Sequence, residues 1–179
     1  MAASSGAVSV LFVCLGNHCR SPAAHAVAVA ALAGRPDLAG VARFESAGTS
    51  SAHVGEFPHP ASVAEGRHRG YRVDHRARQV HPDDFALFDL IVAMDRNNVD
   101  DLERMRGGVD QRTGHYATVE PVQVQLLRRW DPYAMPGDED LPDPWGQGPD
   151  AYRSMYDVIE RSMPLLLDHL AWLRSEHPS

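Results

Sequence analysis

Apolar residues in this chain cluster in short runs, separated by longer stretches of helical spacing. Residues 8–13 are a run of Val, Leu and Phe around one Ser, which reads as a short buried strand. The Ala-rich segment 23–32 is a good helix former, ended by Gly34 and Pro36. Residues 41–46 read as a second strand, followed by a Gly/Ser/Thr-rich loop through Gly55. Pro58 and Pro60 introduce a helix over 61–68 that closes near Gly70, and Pro82-Asp83-Asp84 introduces a helical turn over 85–88. Residues 90–94 form a strongly buried strand, and Asp95 leads into a polar helix through about residue 104. Alternating Val and Gln over 122–127 give a fourth strand. The last helix, about 150–175, carries Tyr152, Met155, Tyr156, Ile159, Met163, Leu166, Leu167 and Leu170 at helical spacing, a stripe for core packing.

Strands alternating with helices imply parallel pairing and right-handed crossovers. The fold expected is therefore α/β: a single-domain, three-layer fold with a four-stranded parallel sheet flanked by helices. No linker or repeat divides residues 1–179. Residues 1–6 read as a disordered tail, and the Gly-rich, polar segment 106–121 as a long exposed loop. A chain of 179 residues with 44% hydrophobic content can bury a core of its own. A net charge of −7 argues against nucleic acid or an anionic membrane as partner. No signal peptide or membrane span is evident, and two cysteines five apart make a poor structural staple, so a reducing cytoplasm is expected.

The chemistry gathers just after the first strand, in Cys14-Leu15-Gly16-Asn17-His18-Cys19-Arg20-Ser21-Pro22. Gly16 and Asn17 tolerate unusual backbone angles, while Ser21 reads as an N-cap and Pro22 as the first helical residue. Strand, tight loop and helix N-terminus together make a concave anion site lined by backbone amides: a phosphate-binding loop. The same field favours the Cys14 thiolate, and Arg20 offers a planar fork matching two phosphoryl oxygens. Ser21 can donate to the thiolate and ease its departure. Cys followed six residues later by Arg is weak alone, and the flanking strand and helix supply the specificity. The bland alternative is a buried cysteine in a tight turn.

Residues 13–22 resemble the signature loop of the low-molecular-weight protein tyrosine phosphatases. The resemblance extends over nearly the whole chain through Glu45-Ser46-Ala47-Gly48-Thr49, the segment from Asp74 to Val80, Met94-Asp95 and Asp143-Pro144-Trp145-Gly146. It implies a phosphatase that hydrolyses phosphomonoesters, most of all protein phosphotyrosine, through a cysteinyl-phosphate intermediate. Cys14 would be the nucleophile, and Arg20 would bind the phosphoryl oxygens together with the loop residues Leu15, Gly16, Asn17, His18, Cys19 and Ser21. Partners would be a phosphorylated protein or small aryl phosphate, with inorganic phosphate as product and no cofactor.

A leaving phenolate needs a general acid, and two Asp-Pro pairs compete, Asp131-Pro132 and Asp143-Pro144. The resemblance selects Asp143, in the loop before the final helix, and makes Trp145 one wall of the cleft. Asn17, Ser46 and His75 match positions that brace the loop from beneath, although His75 on residues alone reads equally as an ordinary half-buried histidine. The family likeness also suggests a reversible Cys14–Cys19 disulfide that shields the nucleophile. His53, His59, His68 and His81 lack a recognised ligand spacing, so no metal is expected. Three departures bear on substrate. His18 stands where tyrosine phosphatases of this kind carry Ile and arginine phosphatases Thr, Ala52 stands where relatives place an aromatic, and the acid loop carries Trp145-Gly146 in place of two tyrosines. The nearest competing activity is a protein-arginine phosphatase. Arsenate reduction is disfavoured because only two cysteines exist, and a non-catalytic phosphoprotein-binding module is the remaining alternative.

Overall fold

The computed structural model describes residues 6–113 and 122–176. Its strands are β1 (Val8–Cys14), β2 (Ala42–Gly48), β3 (Leu90–Ala93) and β4 (Gln123–Leu126). Its helices are α1 (Arg20–Ala33), α2 (Pro60–His68), α3 (Asp84–Leu87), α4 (Arg96–Thr113) and α5 (Pro149–Glu176). The sheet has the order β2-β1-β3-β4 and every pairing is parallel. The expected α/β architecture is the one observed.

All seven residues of β1 are buried, because helices cover both faces of the sheet. Val10, Phe12 and Cys14 face one core with Val27 of α1 and Tyr156 and Ile159 of α5. Leu11 and Val13 face the other, with Ile91 of β3 and Leu102 of α4. A continuous apolar run is what a central parallel strand requires, since neither face meets water. The carboxyl ends of β1, β2 and β3 lie side by side, with Cys14 paired to Gly48 and Val13 to Ala93. Segments leaving those ends are therefore forced into one region.

Two expectations need correction. The segment 106–121 was expected as a loop, but α4 continues to Thr113, and 114–121 lie outside the described residues. Gly107 and Gly108 each cost roughly 1 kcal/mol in a helix and do not end it by themselves. Arg106 supports the continuation by donating from Nη2 to the Val122 carbonyl at 2.7 Å, tying the helix to the approach of β4. Of the segment 1–6 only Gly6 is described, in a turn.

The second correction concerns Ser21. Helix α1 begins at Arg20, Cys19 holds the N-cap position, and no side chain caps the helix. The Ser21 hydroxyl is turned inward to Cys14 and cannot serve the helix end. Pro22 sits in the first turn, where a missing N–H costs nothing.

Gly48 ends β2 where the backbone leaves no room for a side chain. A Cβ there would lie 2.7 Å from the Leu15 carbonyl oxygen and 2.8 Å from the Asn17 nitrogen. Since the colliding atoms are backbone, the loop itself must shift to admit a methyl group. Gly48→Ala should cost about 1–3 kcal/mol in urea unfolding, the usual range for overpacking. It should also weaken phosphate binding by titration calorimetry; wild-type values for both would show that the loop tolerates displacement.

Candidate active site

The loop from Leu15 to Cys19 is held from beneath by Asn17, whose φ of 51° lies in the left-handed region. Its amide Nδ2 donates to Ser21 Oγ at 2.9 Å and to Ser46 Oγ at 3.0 Å, and its Oδ1 accepts from the Arg78 backbone N–H at 3.0 Å. Those three bonds offset the cost of the unusual backbone. Ser46 Oγ lies 3.4 Å from His75 Nε2, so the bracing residues expected from sequence do meet. The loop carbonyls point outward: Cys14 O accepts from Thr49, Leu15 O from Ser50 and His18 O from His59, at 2.8–2.9 Å. Among the described residues, no backbone N–H from Leu15 to Cys19 has a protein acceptor. Carbonyls tied outside and amides left inside make a nest for an anion.

Cys14 Sγ lies at the end of β1, 3.1 Å from Ser21 Oγ. Ser21 accepts from Asn17 and also reaches the Ala47 carbonyl at 3.2 Å, so its one proton can swing to the sulfur when a thiolate needs it.

Arg20 is almost wholly buried. Its Nη1 donates to Asp95 Oδ2 at 2.5 Å and to the Leu141 carbonyl at 3.0 Å, and its Nη2 to Asp143 Oδ2 at 2.9 Å. Nε is buried without a partner among the described residues. Burial works against the charge, but Cys14, Asp143 and Asp95 outweigh it, so the guanidinium pKa lies above its ordinary value. Asp95 was given no role by sequence reasoning. Its Oδ1 accepts the Asn98 N–H at 2.8 Å, capping α4, while Asn98 Oδ1 accepts the Asp95 N–H at 3.2 Å. The available signal was an Asp three residues before Asn at the start of a helix.

Cys14, Arg20, Asp143 and Trp145 line one cleft of about 180 Å³, with His18 and Ala52 on its walls. Leu15, Gly16 and Cys19 also face it, whereas Asn17, Ser21, Ser46 and His75 lie behind the lining. Trp145 is 60% exposed, so it covers no core. Asp131 lies elsewhere, its side chain fully buried between Arg161 at 2.7 Å and Arg128 at 3.1 Å. Burial alone would raise its pKa, but Arg161, the Tyr133 N–H and Arg128 hold it at about 2. That carboxylate is a structural tie.

Comparison with known proteins agrees with this geometry. The family model described as low molecular weight phosphotyrosine protein phosphatase matches residues 9–176. The chain belongs to this family. A low molecular weight protein-tyrosine-phosphatase of Streptomyces coelicolor is 37% identical over 161 residues, 88% of this chain and 90% of that protein. The crystal structure of YfkJ from Bacillus subtilis superposes with a TM-score of 0.79 at 30% identity, covering 96% of this chain and 99% of that one. A Drosophila arginine phosphatase gives 0.77 at 32% identity, covering 89% and 96%.

One cluster in this phosphatase-family chain escaped sequence reasoning. The His18 ring centroid lies 3.9 Å from that of His53 and 5.4 Å from that of His59, which stacks on Tyr152 at 5.4 Å. The rings come from three separate segments, so no linear spacing announces them. Cys19 is also buried, 3.9 Å from Tyr152 Oη, and burial pushes its thiol up to about 12. No helix among the described residues is long and apolar enough to cross a membrane.

Burial, with a smaller contribution from His25, lowers the His75 pKa to about 4. The unfolded chain binds this proton near pH 6.5 and the folded chain only near 4, so this contribution to stability is present above 6.5 and lost as pH falls towards 4. Thermal melts should show wild type losing stability across that window more steeply than His75→Gln. Equal slopes would mean that His75 is protonated in the folded protein as easily as in water.

Proposed function

We propose that this protein hydrolyses phosphomonoesters, with protein phosphotyrosine as its substrate class, through a phosphocysteine at Cys14. The observation that carries the reading is the meeting of Cys14, Arg20 and Asp143 in one cleft above unbonded loop amides. The Cys14 thiolate attacks phosphorus in line, forming the S–P bond as the P–O bond to the leaving group breaks. Arg20 and the amides of residues 15–19 hold the equatorial oxygens, where charge accumulates. Arg20 Nη2, held by Asp143, and the unpartnered Nε are the donors available for a phosphoryl oxygen. When the substrate takes Nη2, Asp143 is released from that contact, takes a proton from the solvent that reaches it, and passes that proton to the leaving oxygen. Asp143 then accepts a proton from the water that attacks phosphorus. The S–P bond breaks, inorganic phosphate leaves, and Ser21 donates to the returning thiolate.

Trp145 favours an aryl leaving group, since an exposed indole at the cleft mouth can stack on a phenyl ring. The names of the relatives point the same way. The likeness to an arginine phosphatase, together with His18 in place of Ile or Thr, keeps phosphoarginine as the competing substrate. Thiolate chemistry suits the reducing cytoplasm, and the acidic chain speaks against nucleic acid and membrane surfaces as partners.

Cys14→Ser should abolish hydrolysis of p-nitrophenyl phosphate while circular dichroism stays native; retained turnover would remove the nucleophile from the scheme. Asp143→Asn should lower kcat by about 10²–10⁴, the usual worth of a positioned general acid. Asp131→Asn should lower the melting temperature and leave turnover per folded molecule near wild type. The reverse pattern would transfer the acid role to Asp131. Peptides bearing phosphotyrosine should be turned over faster than matched phosphoarginine peptides, and the opposite ranking would change the substrate class without touching the mechanism.

A further inference from the structure

The histidine pair at the cleft mouth has a third member that the hydrolytic scheme leaves unused. One ligand atom from each of His18, His53 and Glu56 can be chosen so that all three lie within 4.8 Å of one another. His53 and Glu56 share a turn closed by the Glu56 N–H on the His53 carbonyl at 2.9 Å, and His53 Nδ1 lies 2.8 Å from Glu56 Oε2. His18 approaches from the phosphate loop, and its Nδ1 is buried with no partner among the described residues. A buried ring nitrogen without a partner is costly unless something binds it.

We propose that His18, His53 and Glu56 form a site for a divalent transition cation of the zinc type at the mouth of the phosphate cleft. Two imidazoles and one carboxylate suit zinc and disfavour calcium or magnesium, which take oxygen ligands. Zn–N bonds of about 2.0–2.1 Å put ligand atoms roughly 3.4 Å apart in a tetrahedron, within reach of modest side-chain rotations from the separations present. Three protein ligands leave a coordination position for water or an anion. His18 and His53 both line the cleft, so the cation would join the 53–56 turn to the phosphate loop and narrow the approach to Cys14. This consequence rests on the phosphatase reading; the binding itself does not.

The test separates the two. Cys14→Ser removes the thiolate that could capture zinc in its own right, and zinc titration calorimetry on that variant should still give one saturable site. Adding His53→Ala or Glu56→Gln should weaken binding by at least the about 10–100-fold that loss of a supporting group costs a metal site. His53→Gln is the backup should the alanine variant not fold. Cobalt should bind the wild-type protein without a thiolate-to-metal charge-transfer band. Loss of saturable binding in Cys14→Ser would place zinc on the nucleophile, and undiminished binding in both double variants would place it on other groups; either result would overturn the proposal. Zinc should also inhibit p-nitrophenyl phosphate hydrolysis by wild type at lower concentration than by His53→Ala. Equal sensitivity beside intact calorimetric binding would retain the site and discard its control of the cleft.

Discussion

A permanently charged guanidinium buried at the end of a parallel sheet must be surrounded by acceptors, and Arg20 imposes that requirement on two other chain segments. Asp95 comes from the end of β3, and Leu141 and Asp143 from the segment before α5. Removing one partner of a buried charge typically costs about 3–5 kcal/mol, so these segments are not free to drift. Parallel topology makes the arrangement reachable, because it puts the carboxyl ends of β1 and β3 side by side. Asp95 carries a double duty at that point. One oxygen holds Arg20 and the other caps α4, so helix placement and guanidinium orientation are set by a single carboxylate. Asp143 differs in being 40% exposed, which makes it the partner most easily exchanged for another anion.

The underside of the loop follows a second constraint of the same kind. Asn17 sits at positive φ and returns three hydrogen bonds, to α1, β2 and the segment that carries Arg78. Gly48 runs so close to the loop backbone that a Cβ there would lie less than 3 Å from it. Neither the Asn17 side chain nor Gly48 lines the cleft. Together they fix where the amides of residues 15–19 point, which is the condition for stabilising charge without reorganisation during reaction.

The sequence carried this much because the central features are local. A continuous apolar run needs only its own residues to be read as a buried strand, and the Cys-to-Arg loop declares its chemistry within seven positions. What escaped depends on contacts across the chain. The extent of α4 involves Arg106 reaching Val122, and a glycine pair reads as a stop when that contact is unknown. Ser21 has the right residue type for a cap, yet its hydroxyl is drawn away by Cys14 and Asn17. Asp95 was visible as a motif residue, while its guanidinium partner lies 75 positions earlier. The meeting of His18, His53 and His59 likewise requires the fold, since residues 50–59 are brought back over the loop by Ser50 and His59 backbone bonds.

These contacts divide the site into two layers with different freedom to vary. Cys14, Asn17, Arg20, Ser21 and Gly48 are each bound or crowded by atoms within about 3 Å, mostly backbone or buried polar groups, so their replacement propagates. Ala52, His53 and Trp145 stand at the rim, partly exposed and tied to the frame by few bonds. His18 belongs to both: its backbone carbonyl anchors the loop to His59, while its side chain faces the cleft. A change at residue 18 therefore alters the wall of the pocket without disturbing the backbone that positions the phosphoryl group. That separation lets one hydrolytic frame carry different rims, and it would put the proposed cation site at a residue that also lines the pocket.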